Sequence, residues 1–350
     1  MIRLSSGMRS GAKGIAILLF GLCFTAAGLW RAVAQAEETF LNGLTFGAYS
    51  QWTNCLALND KAKKFQAVVV PDLGGRLMHY SYDLINILYK NPEALGRTLA
   101  NSRRPFYAGG YQCDLGPETF PLPRRLQLTV GKHVWRSPRH YTVDTASPGE
   151  SGVPVRIMKS FTMDQDTGEL GILQRMANAS DTPAAYSLRD RTVCKGGGFA
   201  FFEINRSSRF AHGCSALKQS GSRYFYESVG ELPDNVTRTD DTLIIDTSRG
   251  AAKLGVDNAA GWLAYVRGNI LLVKFFPITE GGDYADAGNT LSVMWNGTVT
   301  ELSPQSPRIT LQPGGTYDFP ERWVLKALKR EIKTARDVRH ILDEIPDNPF

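Results

Sequence analysis

Short stretches in which apolar and polar residues alternate recur along most of this chain, and that period constrains its architecture more than anything else. Phe65-Gln-Ala-Val-Val-Val70, Arg76-Leu-Met-His-Tyr-Ser-Tyr82 and Val155-Arg-Ile-Met-Lys-Ser-Phe161 are early examples. Gly261-Trp-Leu-Ala-Tyr-Val266, Ile270-Leu-Leu-Val-Lys-Phe-Phe276 and Leu291-Ser-Val-Met-Trp295 follow. A period of two sends successive side chains to opposite faces of an extended backbone, so each stretch reads as a strand with one buried face. About eighteen such stretches, separated by turn signals such as Asn296-Gly297 and Pro313-Gly314-Gly315, predict a large antiparallel sandwich or barrel. The region from Asn91 to Pro123 is rich in Gly, Pro and Arg and reads as long loops. Leu325, Leu328, Ile332, Val338, Ile341, Leu342 and Ile345 recur near helix spacing. They predict a C-terminal amphipathic helical segment over 326–350, one helix or two short ones, bracing the sandwich.

The first 36 residues read differently. Arg3, Arg9 and Lys13 precede the apolar run Ile15–Phe24, and Ala34-Gln-Ala36 supplies small residues before Glu37. A basic start, a short apolar core and an A-x-A site are the parts of a cleavable secretory signal. The run is short for a bilayer span, which takes roughly 20 apolar residues. The sequence therefore predicts a periplasmic or secreted protein, with no membrane span left once residues 1–36 are removed and a single β-rich domain over 37–325. Taking the four basic residues of that segment from the 40 of the chain leaves 36 against 34 acids. With no basic run or stripe remaining, nucleic acid is excluded as an expected partner.

Four cysteines follow the signal, at 55, 113, 194 and 214. Export favours pairing, three connectivities are open, and Cys194–Cys214 is the pair favoured by proximity in sequence, with four buried unpaired thiols as the alternative. No C-x-x-C or H-x-x-x-H spacing occurs, so no metal centre is expected. No phosphate loop or dinucleotide fingerprint stands out, so no cofactor is expected. Gly196-Gly-Gly198 reads as a hairpin turn.

The stretch Val68-Val-Val-Pro-Asp-Leu-Gly-Gly-Arg76 joins two strands through a Pro-Asp break and two glycines, and Gly109-Gly110 follows in a loop. Downstream, Leu188-Arg-Asp-Arg-Thr192, Ser208-Arg-Phe210, Thr298-Val-Thr-Glu-Leu-Ser-Pro304 and Leu311-Gln-Pro-Gly-Gly-Thr-Tyr-Asp-Phe-Pro-Glu-Arg-Trp323 keep the same order. From Leu44 to Leu325 this resembles the galactose mutarotase-like superfamily, which includes aldose 1-epimerases, and within it an uncharacterised bacterial branch. The resemblance implies an all-β fold, a large antiparallel β-supersandwich, with a carbohydrate as partner and an acidic residue of a late strand, here Glu301, facing the sugar pocket.

The resemblance breaks at one point. Aldose epimerases carry a catalytic histidine in an Asn-His-x-x-Phe-Asn-like segment, where this chain has Ala185-Tyr-Ser-Leu-Arg-Asp-Arg-Thr-Val193. His79 reads as a structural histidine on a strand, and His212 is the nearest stand-in. Charge replaces the histidine: Arg189 and Arg191 share one face of their strand, with Asp190 on the other. Lys253 and Lys274 each stand alone in otherwise apolar or small-residue strands. An arginine fork suits a carboxylate or phosphate, which points to an acidic sugar.

The sequence thus supports two readings. In the first, Glu301 is a general base, Glu118 or His212 an acid, and Arg76, Arg189, Arg191, Lys253 and Lys274 bind substrate in epimerase-type proton transfer. In the second, a glycan-binding or structural domain has kept the pocket and lost the chemistry. Glu321 is a further acid, and Trp52, Trp135, Trp262, Trp295 and Trp323 are candidates for stacking on a sugar.

Overall fold

The computed structural model describes residues 44–98, 101–102, 106–117, 134–135, 141–146 and 153–350. The signal segment, Glu118, His133 and His140 lie outside them. Among the described residues the strands form two antiparallel sheets, one of thirteen strands and one of nine. The main path of the first runs Leu44–Tyr49, Trp52–Asn59, Phe65–Val70, Arg76–Tyr82, Gly110–Gly116, Ala184–Lys195, Val299–Pro304, Leu291–Trp295, Ala252–Val256, Ser215–Ser220 and Arg223–Ser228. The second runs Val236–Arg238, Thr242–Asp246, Phe199–Glu203, Trp262–Phe275, Thr316–Ile332, Leu170–Asn178, Val155–Met163, Tyr141–Ala146 and Val134–Trp135. The β-sandwich expected from the alternating pattern is the fold observed.

Alternation explains the packing. Val155, Ile157, Lys159, Phe161 and Met163 are buried while the residues between them are not, and Leu170, Ile172, Gln174 and Met176 repeat this on the next strand. Tyr111 of the first sheet meets Phe161 and Trp323 of the second edge-on, with ring centroids 5.7 and 5.6 Å apart. Lys159 also crosses between the sheets. Its ammonium donates to the carbonyls of Gly74 and Gly75 at 2.7 and 3.0 Å. Those glycines have φ of 72° and 66°, so the Pro-Asp-Leu-Gly-Gly turn requires residues without a Cβ.

Four expectations need correction. Gly110–Gly116, within the region read as loop, is an interior strand of the first sheet. Gly196–Gly198 is not a hairpin turn, because the strands it joins, Ala184–Lys195 and Phe199–Glu203, belong to different sheets. Cys194 and Cys214 are not paired, and all four described cysteines are free and buried. Cys214 precedes a strand four positions from that of Cys194 in the sheet. Four inter-strand spacings are about 19 Å, whereas a disulfide needs Cα atoms within about 7 Å.

The C-terminus is the fourth. Leu325, Leu328 and Ile332 belong not to a helix but to the strand Thr316–Ile332. Leu325 continues the inner face of this strand, whereas Leu328 and Ile332 pack on its outer face with Val338 and Ile341, and a strand buried on both faces imitates the i, i+3, i+7 spacing of a helix. Two short helical pieces do follow, Ala335–Arg339 and a 3₁₀ turn at Leu342–Glu344. A capping box starts the first: Thr334 Oγ1 accepts from the Asp337 N–H, and the Asp337 carboxylate accepts from that of Thr334. Val338 and Ile341 pack on Phe201, Val273 and Phe275, bracing the outer face of the second sheet. Burying each contributes about 1.5–3 kcal/mol.

Candidate functional site

Paired residues of an antiparallel ladder share a face. Lys253 pairs with Met294, Met294 with Glu301, and Glu301 with Val193. Gln112 pairs with Arg191 and Asp114 with Arg189. All of these side chains therefore stand on one face of the first sheet, away from the second. Asp190, Thr192 and Leu302 take the opposite face, as alternation predicts.

Glu301 is 1% exposed and is the centre of the group. Its Oε2 accepts from Arg191 Nη2 at 2.7 Å and Nε at 3.1 Å. Its Oε1 accepts from Lys253 Nζ at 3.1 Å, Ser303 Oγ at 3.2 Å and Arg189 Nη2 at 3.5 Å. Arg191 also approaches Asp114, at 3.4 Å, and Gln112 donates to that carboxylate. Arg76 donates to the Gly109 carbonyl at 2.9 Å and to Gln112 Oε1. Gly109 and Gly110 are packed tightly against their neighbours: both have positive φ, and a Cβ would lie 2.4 Å from the Tyr89 oxygen at the first and from the Leu77 oxygen at the second. Among the described residues, Arg76, Arg189, Arg191 and Lys253 thus gather around Glu301 and Asp114.

Arg76, Phe106, Tyr107, Ala108, Gln112, Arg191 and Val193 line an open recess of about 240 Å³. That is below the roughly 300–1,000 Å³ of drug-sized sites and suits a small polar ligand. Burial pulls the Arg76 guanidinium down to about 10, opposed by Asp114, so it stays charged at neutral pH. Burial alone would push Glu301 up, but Lys253, Arg191 and Arg189 outweigh it and hold its carboxyl well below the ordinary value. Glu301 in return holds Arg191 firmly protonated, and burial raises the Tyr107 phenol above its usual value.

The remaining candidates lie elsewhere. Lys274 does not face this site. It is fully buried between the sheets, 2.7 Å from Asp190 and 3.5 Å from Glu321, donating to Thr192 Oγ1 and lying over the Trp323 ring. A lone strand lysine points to either face, and Lys253 and Lys274 took opposite ones. Glu321 belongs to that core network, accepting from Gln174 and Trp323. His212 is away from the cluster, bonded to the Gly230 carbonyl at 3.0 Å. Glu118 lies outside the described residues. His79 is structural, with Nδ1 2.7 Å from Tyr49 Oη. Trp52, Trp295 and Trp323 are core, and Trp262 packs on the outer face of the second sheet. Sequence reasoning missed Gln112, Asp114, Tyr107 and Ser303. The strand Gly110–Gly116, read as loop, hid the first two, although Gln112 and Asp114 already stood two apart.

No known family profile matches the sequence, and a search of curated proteins found no match. Solved structures do match. A galactose mutarotase-like protein from Lactobacillus casei superposes with a TM-score of 0.54 at 10% identity, covering 77% of this chain and 100% of that one. One from Clostridium acetobutylicum gives 0.52 at 11% identity, over 81% and 98%. The Slr1438 protein of Synechocystis gives 0.51 at 12% identity, over 81% and 100%. The chain has the galactose mutarotase-like fold.

Proposed function

We propose that the protein is an exported carbohydrate-binding module whose recess takes a sugar carrying an anionic group. One observation carries this reading: the strand on which an epimerase would hold its acid histidine presents Arg189 and Arg191 instead, both paired to Glu301. A general base works best with a pKa near the operating pH. Glu301, held far below that by three cations, is a weak proton acceptor and a strong organiser of guanidinium groups. Arg76 and Arg191 would meet a ligand carboxylate or sulfate, and the Tyr107 and Phe106 rings would cover the sugar face. The fold neighbours, named galactose mutarotase-like, support a carbohydrate as the ligand class. Export rests on the character of residues 1–36.

The second reading, epimerase-type catalysis, is favoured by the position of Glu301 on the cleft face of its late strand. Titration of D-galacturonate and D-galactose into the mature chain, with proton NMR of anomer exchange, separates the two. Binding of galacturonate, weaker binding of galactose and no accelerated exchange support the module. Accelerated exchange that Glu301→Gln abolishes would replace it with the enzyme.

A further inference from the structure

The cleft face does not end at the ion cluster. Ala216 pairs with Leu254, and continuing that register by one residue sets Leu217 beside Lys253. Leu217 pairs with Tyr226, and Gln219 with Tyr224. Tyr224 and Tyr226 are two apart on the edge strand Arg223–Ser228, so both rings stand on the face that carries Glu301. A strip runs across the sheet from Arg191 past Met294, Lys253 and Leu217 to these tyrosines. Each is at least partly exposed, and Tyr224 reaches 48%. Five strand spacings separate the strands of Arg191 and Tyr226, about 24 Å along the sheet. At the hairpin tip, Ser220, Ser222, Arg223, Tyr224 and Phe225 border a second recess.

We infer that the hairpin Ser215–Ser228 is a second sugar subsite of the proposed site, so that the ligand is an anionic oligosaccharide chain and not a monosaccharide. This rests on the reading above. The distance is too great for one sugar to bridge, while a chain of rings can place an anion on Arg191 and a ring face on Tyr224 or Tyr226. Aromatic rings at a sheet edge present a flat apolar face to the C–H face of a pyranose. Serine hydroxyls and Arg223 at the tip supply the polar contacts that orient it. Continuity of face and exposure with the first recess, and Arg223 at the tip, select a glycan chain over an unrelated partner.

The test uses D-galacturonate and tetragalacturonate with the mature chain, its Tyr224→Ala/Tyr226→Ala variant, its Tyr224→Ser variant and its Arg191→Ala variant. Affinity is read by calorimetry, folding by thermal melting and assembly by size-exclusion chromatography. The wild type is expected to bind the tetramer at least about tenfold tighter than the monomer, the scale of one good ring contact. The double tyrosine variant should bind both equally, with monomer affinity unchanged. If that variant does not fold, Tyr224→Ser, at an exposed position, should still narrow the gap. Equal affinity of the wild type for the two ligands, or an unchanged tetramer affinity in the tyrosine variants, overturns the subsite while leaving the first recess standing. A wild-type dimer that the tyrosine variants dissociate overturns it too, by making the hairpin a self-contact. No monomer binding, or binding indifferent to Arg191→Ala, removes the parent reading and the subsite with it.

Discussion

Glu301→Gln keeps the size of the side chain and removes one charge where Arg191, Lys253 and Arg189 approach within 2.7, 3.1 and 3.5 Å. A Glu301 that merely faced a sugar pocket, as the family resemblance implies, would lose little stability on this change. The structure implies the reverse, because the carboxylate is 1% exposed and three cations would lose their common partner. Removing one member of a buried ion pair costs about 3–5 kcal/mol. Asp114 remains 3.4 Å from Arg191 and Arg191 is part-exposed, so the lower figure applies. At roughly 2–4 °C per kcal/mol, about 3 kcal/mol lowers Tm by roughly 6–12 °C. The pH dependence has a definite sign. The folded-state pKa of Glu301 is depressed, so its stabilisation is complete above the unfolded carboxylate value of about 4.3 and is lost as pH falls toward the folded one. The gap between wild type and variant should therefore be constant between roughly pH 8 and 5 and narrow below about pH 4. Urea unfolding followed by circular dichroism at pH 7, 5, 4 and 3 measures it. A variant within about 1 kcal/mol of wild type at pH 7, the range of an exposed pair, would refute the reasoning.

His79 tests burial in a second way. Burial, with Lys90 and Lys195 nearby, lowers its pKa from 6.5 to about 4, so its neutral form stabilises the fold fully above pH 6.5. That share is lost as pH falls toward 4, and His79→Gln should flatten the slope over that interval in unfolding titrations. Lys274→Met should cost about 3–5 kcal/mol by leaving Asp190 and Glu321 without their cation. Adding Asp190→Leu and Glu321→Leu should recover part of that in the denaturation midpoint, and a triple variant weaker than the single one would count against the account. The four thiols, with burial pushing Cys55 and Cys214 up to about 11 and Cys194 to about 12, should resist Ellman's reagent in the native protein and all react in denaturant. Fewer than four reactive groups would mean that a disulfide exists.

Period-2 alternation carried most of what was legible. It placed Arg189 and Arg191 on one face of their strand and Asp190 on the other without knowledge of either sheet, because a strand's pleat is a local property, whereas the sugar-facing place of Glu301 came from the family resemblance. What it could not supply is which sheet a strand joins. Lys253 and Lys274 look alike in sequence, yet Lys253 reaches Glu301 while Lys274 crosses into the core between the sheets. That both faces of Thr316–Ile332 are covered is equally invisible in its sequence, since the cover comes from other elements, and so Leu325 on the inner face with Leu328 and Ile332 on the outer one wore a helix's spacing. Cys194 and Cys214 were judged by distance along the chain, whereas three intervening strands decide their distance in space. Gln112 and Asp114 were hidden because glycines flanking an interior strand imitate a loop.

The strand Ala184–Lys195 joins the two halves of this molecule's polar chemistry. Its inner face carries Asp190, whose pKa is driven well above normal by burial and by Glu321, with Lys274 opposing. Two carboxyls share one ammonium there, away from solvent. Its outer face carries Arg189 and Arg191, which share Glu301 with Lys253. The inner network ties this strand to Trp262–Phe275 and Thr316–Ile332 of the other sheet through Lys274 and Glu321, so the backbone beneath the arginines is braced from behind. An anion receptor benefits from that arrangement, because its selectivity depends on guanidinium groups whose positions are fixed before the ligand arrives. A proton-transfer site would need the opposite at Glu301: fewer cations, and a carboxyl free to accept a proton near neutral pH. On the proposed reading, two arginines where an epimerase has its histidine and a deeply ionised Glu301 are one change, since the arginines that recognise an anion are also what hold that carboxylate from acting as a base.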